Sequence, residues 1–580
     1  MSKALSTREW LFGGVLLFSA LALVVGRTLS QPLQPYGDGA AQYIEHAKRL
    51  ELREALQNHN GGLLDALKVA DETVLSHPPG LHLITLGLGN VSGHGAEAIL
   101  WTGILWLLLL GGSVACVVRV LGGDSRAQAA GALGTLLIPA LNAAATRYHY
   151  DLPMTSLLWA SVAALLLGMQ KRRILGSLLA ALLFTLAAVV KWTALPFGGV
   201  MLLAAGAWGA MTSSPHERKK NIVACVATIT LCGLFVGCYL GLASESFRAG
   251  QLAAESGGMG LAGVGWYSLG ALFSVFSPLV FAFLSLSSVG WLKTNRPGQV
   301  FMATILGGQL SFLLIFVSRP DERFLLTLAP LLVIGAALSW SRWPDRKRNT
   351  LAWVGAGLML GVCAEYQLIA DSPIETNREW FVAGEEHPPV QHRAWLLADS
   401  FEGRGWSSRT TTPNNHDSIR DQLWTALSGC MPSEVAFGGG LSERGDVWWL
   451  RYRSGLDRQR GKSDRVHIVL GPTQVGEASF WWPNPDTRPD APLYYRRLGF
   501  SADMLPDDVD TLDLGTPLAL QQLGIRPTAF KHFQPRLAVS RLPLSSTDPL
   551  REGWTVQHRF KAPASGWTVG LLTRDEAACP

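Results

Sequence analysis

Charge is almost absent from the long apolar runs of this chain, and so are the motifs of several common enzyme classes. There is no GxxxxGK[ST] phosphate loop and no GxSxG elbow, so ATP-driven transport and α/β-hydrolase chemistry have no support. The seven cysteines show no CxxC or Cys/His metal spacing. Five of them (Cys116, Cys225, Cys232, Cys238, Cys363) fall in apolar segments, where a thiol behaves as a small buried hydrophobe. Cys430 and Cys579 lie in the polar remainder, where they can pair if that part meets an oxidising compartment. The run from Trp10 to Leu29 lacks a small-residue cleavage site and exceeds the length of a signal core, so it reads as a retained first span. Net charge is only +5, and no nucleic-acid partner is inferred from it.

What the chain has instead is apolar mass, 48% of its 580 residues, gathered almost wholly before residue 370 in runs long enough to cross a bilayer. These runs are 10–29, 97–121, 127–146, 152–170, 174–190, 194–211, 221–243, 264–292, 299–318, 324–340 and 350–369, about eleven spans. As one helix, Ile174 to Met211 would be ~57 Å long, nearly twice the ~30 Å hydrocarbon core, so it must turn near Lys191 and Pro196. Leu81 to Val91 is too short to cross and reads as re-entrant or interfacial. The expected fold class is a polytopic α-helical membrane protein, with a transmembrane domain over 1–370 and a soluble domain over 371–580.

Loop charge supplies an independent check. Lys3 and Arg8, Arg119 and Arg126, Lys171-Arg172-Arg173, Arg218-Lys219-Lys220, Lys293 and Arg296, and Arg342 with Arg346-Lys347-Arg348 all fall on one face, which is therefore cytoplasmic. The N-terminus is expected in the cytoplasm and, after an odd number of spans, the tail outside it. That places the protein in the plasma (inner) membrane with its C-terminal domain extracytoplasmic, or periplasmic.

Several polar signatures reach the outer face. Tyr36-Gly37-Asp38-Gly39 follows the first span. Ala40, Tyr43, Ile44, Ala47 and Leu50 then recur at helical spacing with charges between them, predicting an amphipathic helix along the membrane surface, within an outer loop 30–96. His77-Pro78-Pro79 forms a stiff entry to the short apolar segment. Tyr148-His149-Tyr150-Asp151 opens the next outer loop. Asp38 and Asp151 are either helix caps or functional carboxylates. Three roles fit His77: orienting a phosphate, ligating a divalent metal together with Asp38, or bonding to backbone. Lys191 either snorkels or binds substrate. In Ser318-Arg319-Pro320-Asp321-Glu322-Arg323, the charges either anchor at the interface or, through Arg319 and Arg323, hold a lipid phosphate. Two carboxylates at a membrane surface suit an enzyme with one lipid and one water-soluble substrate.

A Gly-flanked Asp after the first span, a His-Pro-Pro turn, Tyr-Asp at the next outer loop and Arg-Phe-Leu-Leu-Thr-Leu-Ala-Pro entering a late span together resemble the GT-C glycosyltransferases. The similarity spans roughly residues 10–340 and is nearest the protein O-mannosyltransferase and lipid A aminoarabinose transferase branch. The resemblance implies a polyprenyl-phosphate-linked sugar donor and a lipid, glycan or protein acceptor. It makes Asp38 the catalytic base or substrate-orienting carboxylate, Asp151 the second acidic residue and Arg323 a phosphate contact, while His77, Tyr150, Lys191 and Arg319 are substrate-binding candidates on the residues alone. Two departures stand out. The usual Arg-Tyr pair of the late motif is Arg323-Phe324 here, and the second-loop signature is Arg-Tyr-His-Tyr-Asp.

The tail alternates short strands with a helix. Helical character is expected over Ser418 to Leu427, and strands over Glu434 to Phe437, Asp446 to Arg453 and Arg465 to Leu470, giving an α/β domain. Its tryptophans fit a core or a sugar-stacking surface. Asp508-Val509-Asp510 imitates a nucleotide-sugar motif on a face where nucleotide sugars are not expected. Three rivals share many of these features. A lipid or sugar transporter should show midplane ionisable groups or a repeated half. A non-catalytic scaffold would keep the same shell, and an O-antigen ligase or polymerase should concentrate its arginines in a large late loop.

Overall fold

The structure is a computed structural model. It describes residues 22, 38–59, 61–74, 78–92, 96–145, 148–171, 174–242, 275–276, 278–316, 322–342, 350, 354–355, 357–361, 375–377, 391–393, 422–430, 433–437, 453, 466–468, 537–543, 553–561 and 568–573. These fall in two compact units. One comprises Met1–Pro32, Pro78–Leu242 and Ala254–Ser407, and the other Leu33–His77, Ala243–Ala253 and Ser408–Pro580.

The first unit is a helical bundle. Among the described residues, four helices are long and apolar enough to cross a membrane: Trp101–Val120, Asp151–Lys171, Ala194–Thr212 and Pro215–Leu242. Shorter apolar helices include Gly80–Gly89, Ile174–Val190, Leu279–Thr294 and Phe324–Trp340. Asp151–Lys171 is buried along nearly its whole length, whereas Pro215–Leu242 is mostly exposed. Ile174, Leu175, Leu182, Val223, Val226 and Leu234 lie open on the outside of this unit. Large apolar side chains exposed in such number on apolar helices are what a lipid-facing surface requires. The same unit carries a two-stranded antiparallel ladder of Glu375–Asn377 (β1) and Gln391–Arg393 (β2).

Local chemistry sets the helix ends. The apolar segment 174–211 turns as expected, with Ile174–Val190 ending before Lys191 and Ala194–Thr212 starting after it. By contrast, the run 127–146, expected as one span, is two helices, Ser125–Leu136 and Pro139–Ala145. Proline at 139 has no N–H to continue the first helix. Asn142 stabilises the break by donating through Nδ2 to the carbonyls of Leu136 and Ile138. At the start of the first helix, Asp124 accepts from the Ala127 amide at 2.8 Å, a side-chain N-cap. The run 324–340 is likewise subdivided, a 3-10 turn over Glu322–Leu328 leading into Ala329–Trp340, with proline in the first turn of the latter. The run 10–29, apart from Ala22, and the start of the run 264–292 lie outside the described residues.

Two glycines bring backbones together where they matter for the site. A Cβ on Gly103 would lie 1.8 Å from the Ala145 carbonyl oxygen, and one on Gly80 would lie 2.6 Å from that of Val189. The first contact fixes the chain just before Tyr148, and the second fixes it just before Lys191. Polar ties add to this. Ser156 Oγ donates to the Trp106 carbonyl at 2.8 Å, and Ser161 Oγ to that of Ala180 at 2.7 Å.

In the second unit, helix Asp38–Gln57 packs on Leu63–Val74. The predicted helix is present, and Leu50, the one residue of the predicted apolar stripe whose side chain is described, is buried. Leu50 and Leu52 are buried together with His46, Lys48 and Arg49, so its basic face is covered rather than solvated, and Lys48 stands 4.0 Å from Glu45. Five strands of this unit, Ser433–Phe437 (β3), Val466–Ile468 (β4), Leu537–Leu542 (β5), Thr555–Lys561 (β6) and Thr568–Thr573 (β7), form one sheet in the order β4-β3-β5-β7-β6. β3 is parallel to both its neighbours, and β7 is antiparallel to both of its own. Residues 422–429 are helical, with Leu423, Trp424 and Leu427 buried. Of the strand expected over Asp446 to Arg453, Arg453 is helical and the rest lies outside the described residues.

Candidate active site

Among the described residues of the helical bundle, a polar cluster is built on Tyr148, His149, Tyr150 and Asp151, the residues that lead into the buried helix Asp151–Lys171. Asp151 opens that helix and is 1% exposed. Its Oδ1 accepts from Lys191 Nζ at 2.6 Å. Its Oδ2 lies 2.6 Å from His149 Nδ1, without the alignment of a hydrogen bond, so this is a charge contact that gains strength when the imidazole is protonated. Both oxygens are thus engaged by side chains, and capping alone does not account for the residue.

Lys191 sits in the two-helix turn between Val190 and Ala194. Its amide donates to the Ala187 carbonyl at 2.9 Å, and its own carbonyl accepts from the Ala194 amide at 3.0 Å. The snorkelling alternative does not hold. Lys191 is buried, with Nζ held by Asp151 and lying 5.2 Å from the centroid of the Phe324 ring. A buried ammonium needs such partners, because desolvating an unpaired charge is costly. The aromatic face adds a cation–π contribution.

Behind this pair lies an arrangement that the sequence reading missed. His82, fully buried in helix Gly80–Ser92, bridges two tyrosines, with Nδ1 2.8 Å from the Tyr148 hydroxyl and Nε2 2.9 Å from that of Tyr150. A neutral imidazole donates through one nitrogen and accepts through the other. One hydroxyl therefore donates to the ring while the other accepts from it. The two bonds clamp the residues on either side of His149. His82 is a lone histidine in an apolar segment, and the only local signal for its role was its neighbourhood to His77-Pro78-Pro79.

The late motif reaches the same cluster through Phe324, which is carried on the 3-10 turn Glu322–Leu328. That turn is fastened to the buried helix by Trp159, whose indole N–H donates to the Thr327 carbonyl at 3.0 Å, while Thr327 Oγ1 donates to Gln309 Oε1 at 2.8 Å. The structure therefore brings Tyr150, Asp151 and Lys191 together with the late turn. Arg323 lies on that turn, but its side chain is outside the described residues, as are His77 and Arg319. Asp38 is the first residue of its helix, and its side chain too is outside the described set. Among the described residues no group of three or more His, Cys, Asp or Glu is placed to hold a metal ion. The proposed Asp38–His77 metal pair falls outside them.

A family model described as dolichyl-phosphate-mannose-protein mannosyltransferase matches residues 76–236, a segment that holds His82, the Tyr148–Asp151 signature and Lys191. Two crystal structures of ArnT from Cupriavidus metallidurans resemble the chain over nearly its full length. The apo form is 14% identical with a TM-score of 0.55, covering 97% of this chain and 98% of that one. The form bound to undecaprenyl phosphate is 14% identical with a TM-score of 0.57, covering 99% and 100%. No curated protein matches the sequence. The chain thus has the GT-C fold that its sequence motifs implied.

Proposed function

We propose that the protein is a membrane glycosyltransferase that moves a sugar from a polyprenyl-phosphate donor to a lipid, glycan or protein acceptor on the extracytoplasmic face. The observation that carries this reading is the buried Asp151–Lys191–His149 cluster at the head of the central helix, in a fold shared with a protein that binds undecaprenyl phosphate. In this scheme an acceptor oxygen attacks the anomeric carbon as the bond from that carbon to the phosphate oxygen breaks. The acceptor proton passes to a carboxylate, and the lipid phosphate leaves with the bonding electrons. A single displacement inverts the anomeric centre.

The chain supplies a group for each need. Asp38 is the base or substrate-orienting carboxylate, and partial desolvation at a membrane surface would raise its basicity. Lys191, with Arg319 and Arg323, offsets the charge developing on the leaving phosphate, a kind of fixed electrostatic help that is typically worth several kcal/mol. Tyr150 and His77 position the substrate. A divalent ion held by Asp38 and His77 would supply further positive charge to the phosphate. Spans of the 1–370 domain form the groove for the prenyl chain, and the 371–580 domain lies outside the cytoplasm, where a disulfide at Cys430 is at home.

The test is direct. The purified protein is incubated with a panel of polyprenyl-phosphate sugars, and release of the free lipid phosphate is measured. Release from one donor, dependent on an acceptor, is expected. No release from any donor would leave the scaffold reading in its place.

A further inference from the structure

Lys191 has three N–H donors, and Asp151 takes one of them. Among the described residues no other hydrogen-bond acceptor contacts Nζ, whose remaining neighbour is the Phe324 ring. The cluster is buried but not sealed. The Asp151 side chain is 2% exposed, while those of Lys191 and His149 are 10% and 17% exposed. An anion arriving from the His149 side would therefore meet Nζ and the imidazole before it met the carboxylate. From this geometry we infer that Asp151 is an exchangeable counter-ion, holding Lys191 until the phosphate of a polyprenyl-phosphate lipid displaces it. The inference rests on the glycosyltransferase reading and adds to it an order of events.

The physical case is one of competition. A phosphate monoester offers three acceptor oxygens and up to two charges against the one charge of Asp151, so it can use the two idle N–H groups as well as the one already engaged. Without the lipid, Asp151 spares the bundle an uncompensated buried ammonium. With the lipid in place, the carboxylate is left beside a second anion, and like charges at that distance repel. Release of Asp151 from Lys191 thus coincides with occupation of the site by the lipid phosphate, and is strongest for the monoester, the product that remains once the sugar has left.

This arrangement predicts an effect opposite in sign to that of a structural ion pair. If Asp151 merely held Lys191 in position, Asp151→Asn would weaken lipid binding. If Asp151 competes, the same change strengthens it. The full-length protein, in detergent or nanodiscs, is titrated with undecaprenyl phosphate and separately with inorganic phosphate. Asp151→Asn is expected to bind undecaprenyl phosphate at least about fivefold more tightly than wild type, Lys191→Met to lose most of the binding, and the double variant to gain nothing over Lys191→Met. Equal or weaker lipid binding by a folded Asp151→Asn overturns the inference. So does a gain confined to inorganic phosphate, which would make the site one for the free ion.

Should Asp151→Asn fail to fold, the wild-type protein still answers. Infrared difference spectra on adding undecaprenyl phosphate, with aspartate carboxylates isotope-labelled, should show a carboxylate band shifting as its lysine partner leaves. An unchanged band rejects the exchange. A wild-type protein that binds the lipid or turns over a donor but shows none of these effects refutes the exchange alone, whereas one that does neither refutes the enzymatic reading beneath it.

Discussion

At the scale of single residues, Asp38 and His82 make contrasting demands. Asp38→Asn removes a proton acceptor while keeping size and helix-starting ability, since Asn and Asp are nearly equal at helix N-termini. The expected outcome is loss of turnover with the melting temperature within a few degrees of wild type. Near-normal sugar transfer by that variant would remove Asp38 from the mechanism. His82→Phe keeps the ring's bulk but takes a partner from each of two buried tyrosine hydroxyls, which typically costs about 1–3 kcal/mol per group. In a thermal melt it should be clearly destabilised. Adding Tyr148→Phe should then cost less than the same change made in the wild-type protein, because the bond it removes is already gone.

The contrast also shows what could be seen in the sequence. Asp38, Asp151 and Lys191 stand out because a charged residue at the edge of an apolar run needs a reason. His82 did not, because a histidine within an apolar helix is unremarkable until its two neighbours across the bundle are known. Those neighbours, Tyr148 and Tyr150, lie 66 and 68 residues away in sequence. Lys191 was visible but its state was not. Whether a lysine reaches out to the headgroups or turns in to a carboxylate depends on a partner 40 residues distant.

At the scale of elements, the site depends on how closely helices approach. Gly103 lets helix Ala96–Val120 meet the end of Pro139–Ala145 backbone to backbone, and a methyl group there would stand 1.8 Å from a carbonyl oxygen. Gly103→Ala must push the two segments apart and is expected to cost about 1–3 kcal/mol or more, as overpacking does. It should also lower activity, because the segment displaced leads directly into Tyr148. Gly112 lies in the same helix with nothing within 4 Å of its hypothetical Cβ. Gly112→Ala should be neutral or stabilising by up to about 1 kcal/mol. Equal melting temperatures for the two variants would refute this reading of the packing.

Helix positions followed from apolar run length, and the turn at Lys191 followed from the thickness of a bilayer. Subdivision of 127–146 was harder to see, although Pro139 stood within it, because a proline in a membrane helix can kink as well as break. At the break, the Asn142 side-chain amide donates to the carbonyls of Leu136 and Ile138, on either side of the junction. The soluble strands divided in the same way. Ser433–Phe437 and Val466–Ile468 fall on the segments Glu434 to Phe437 and Arg465 to Leu470 that the sequence marks as strands. Leu537–Leu542, where Leu537 and Val539 are buried on alternate positions, carried the same period of two but was passed over.

At the scale of the whole molecule, orientation in the membrane is the property on which the proposed extracytoplasmic reaction depends, and the cysteines offer a test of it. Cys116, Cys225, Cys232 and Cys238 are free, while Cys430 is disulfide-bonded. Of the seven cysteines only Cys363 and Cys579 remain as partners. Cys363 belongs to an apolar run and Cys579 to the polar tail, so Cys430–Cys579 is the pair expected if the tail folds outside the cytoplasm. Such a bond persists only where the cell is oxidising, and orientation is thereby tied to a chemical observable. In intact cells, a membrane-impermeant maleimide should label Cys430 only after reduction. Cys579→Ser should expose it without reductant, and Cys363→Ser should not. Labelling of Cys430 only after the inner membrane is opened would put the tail in the cytoplasm. The charge argument from the loops would then fail with it, and so would any scheme in which Lys191 and Asp151 meet a donor presented on the outer face.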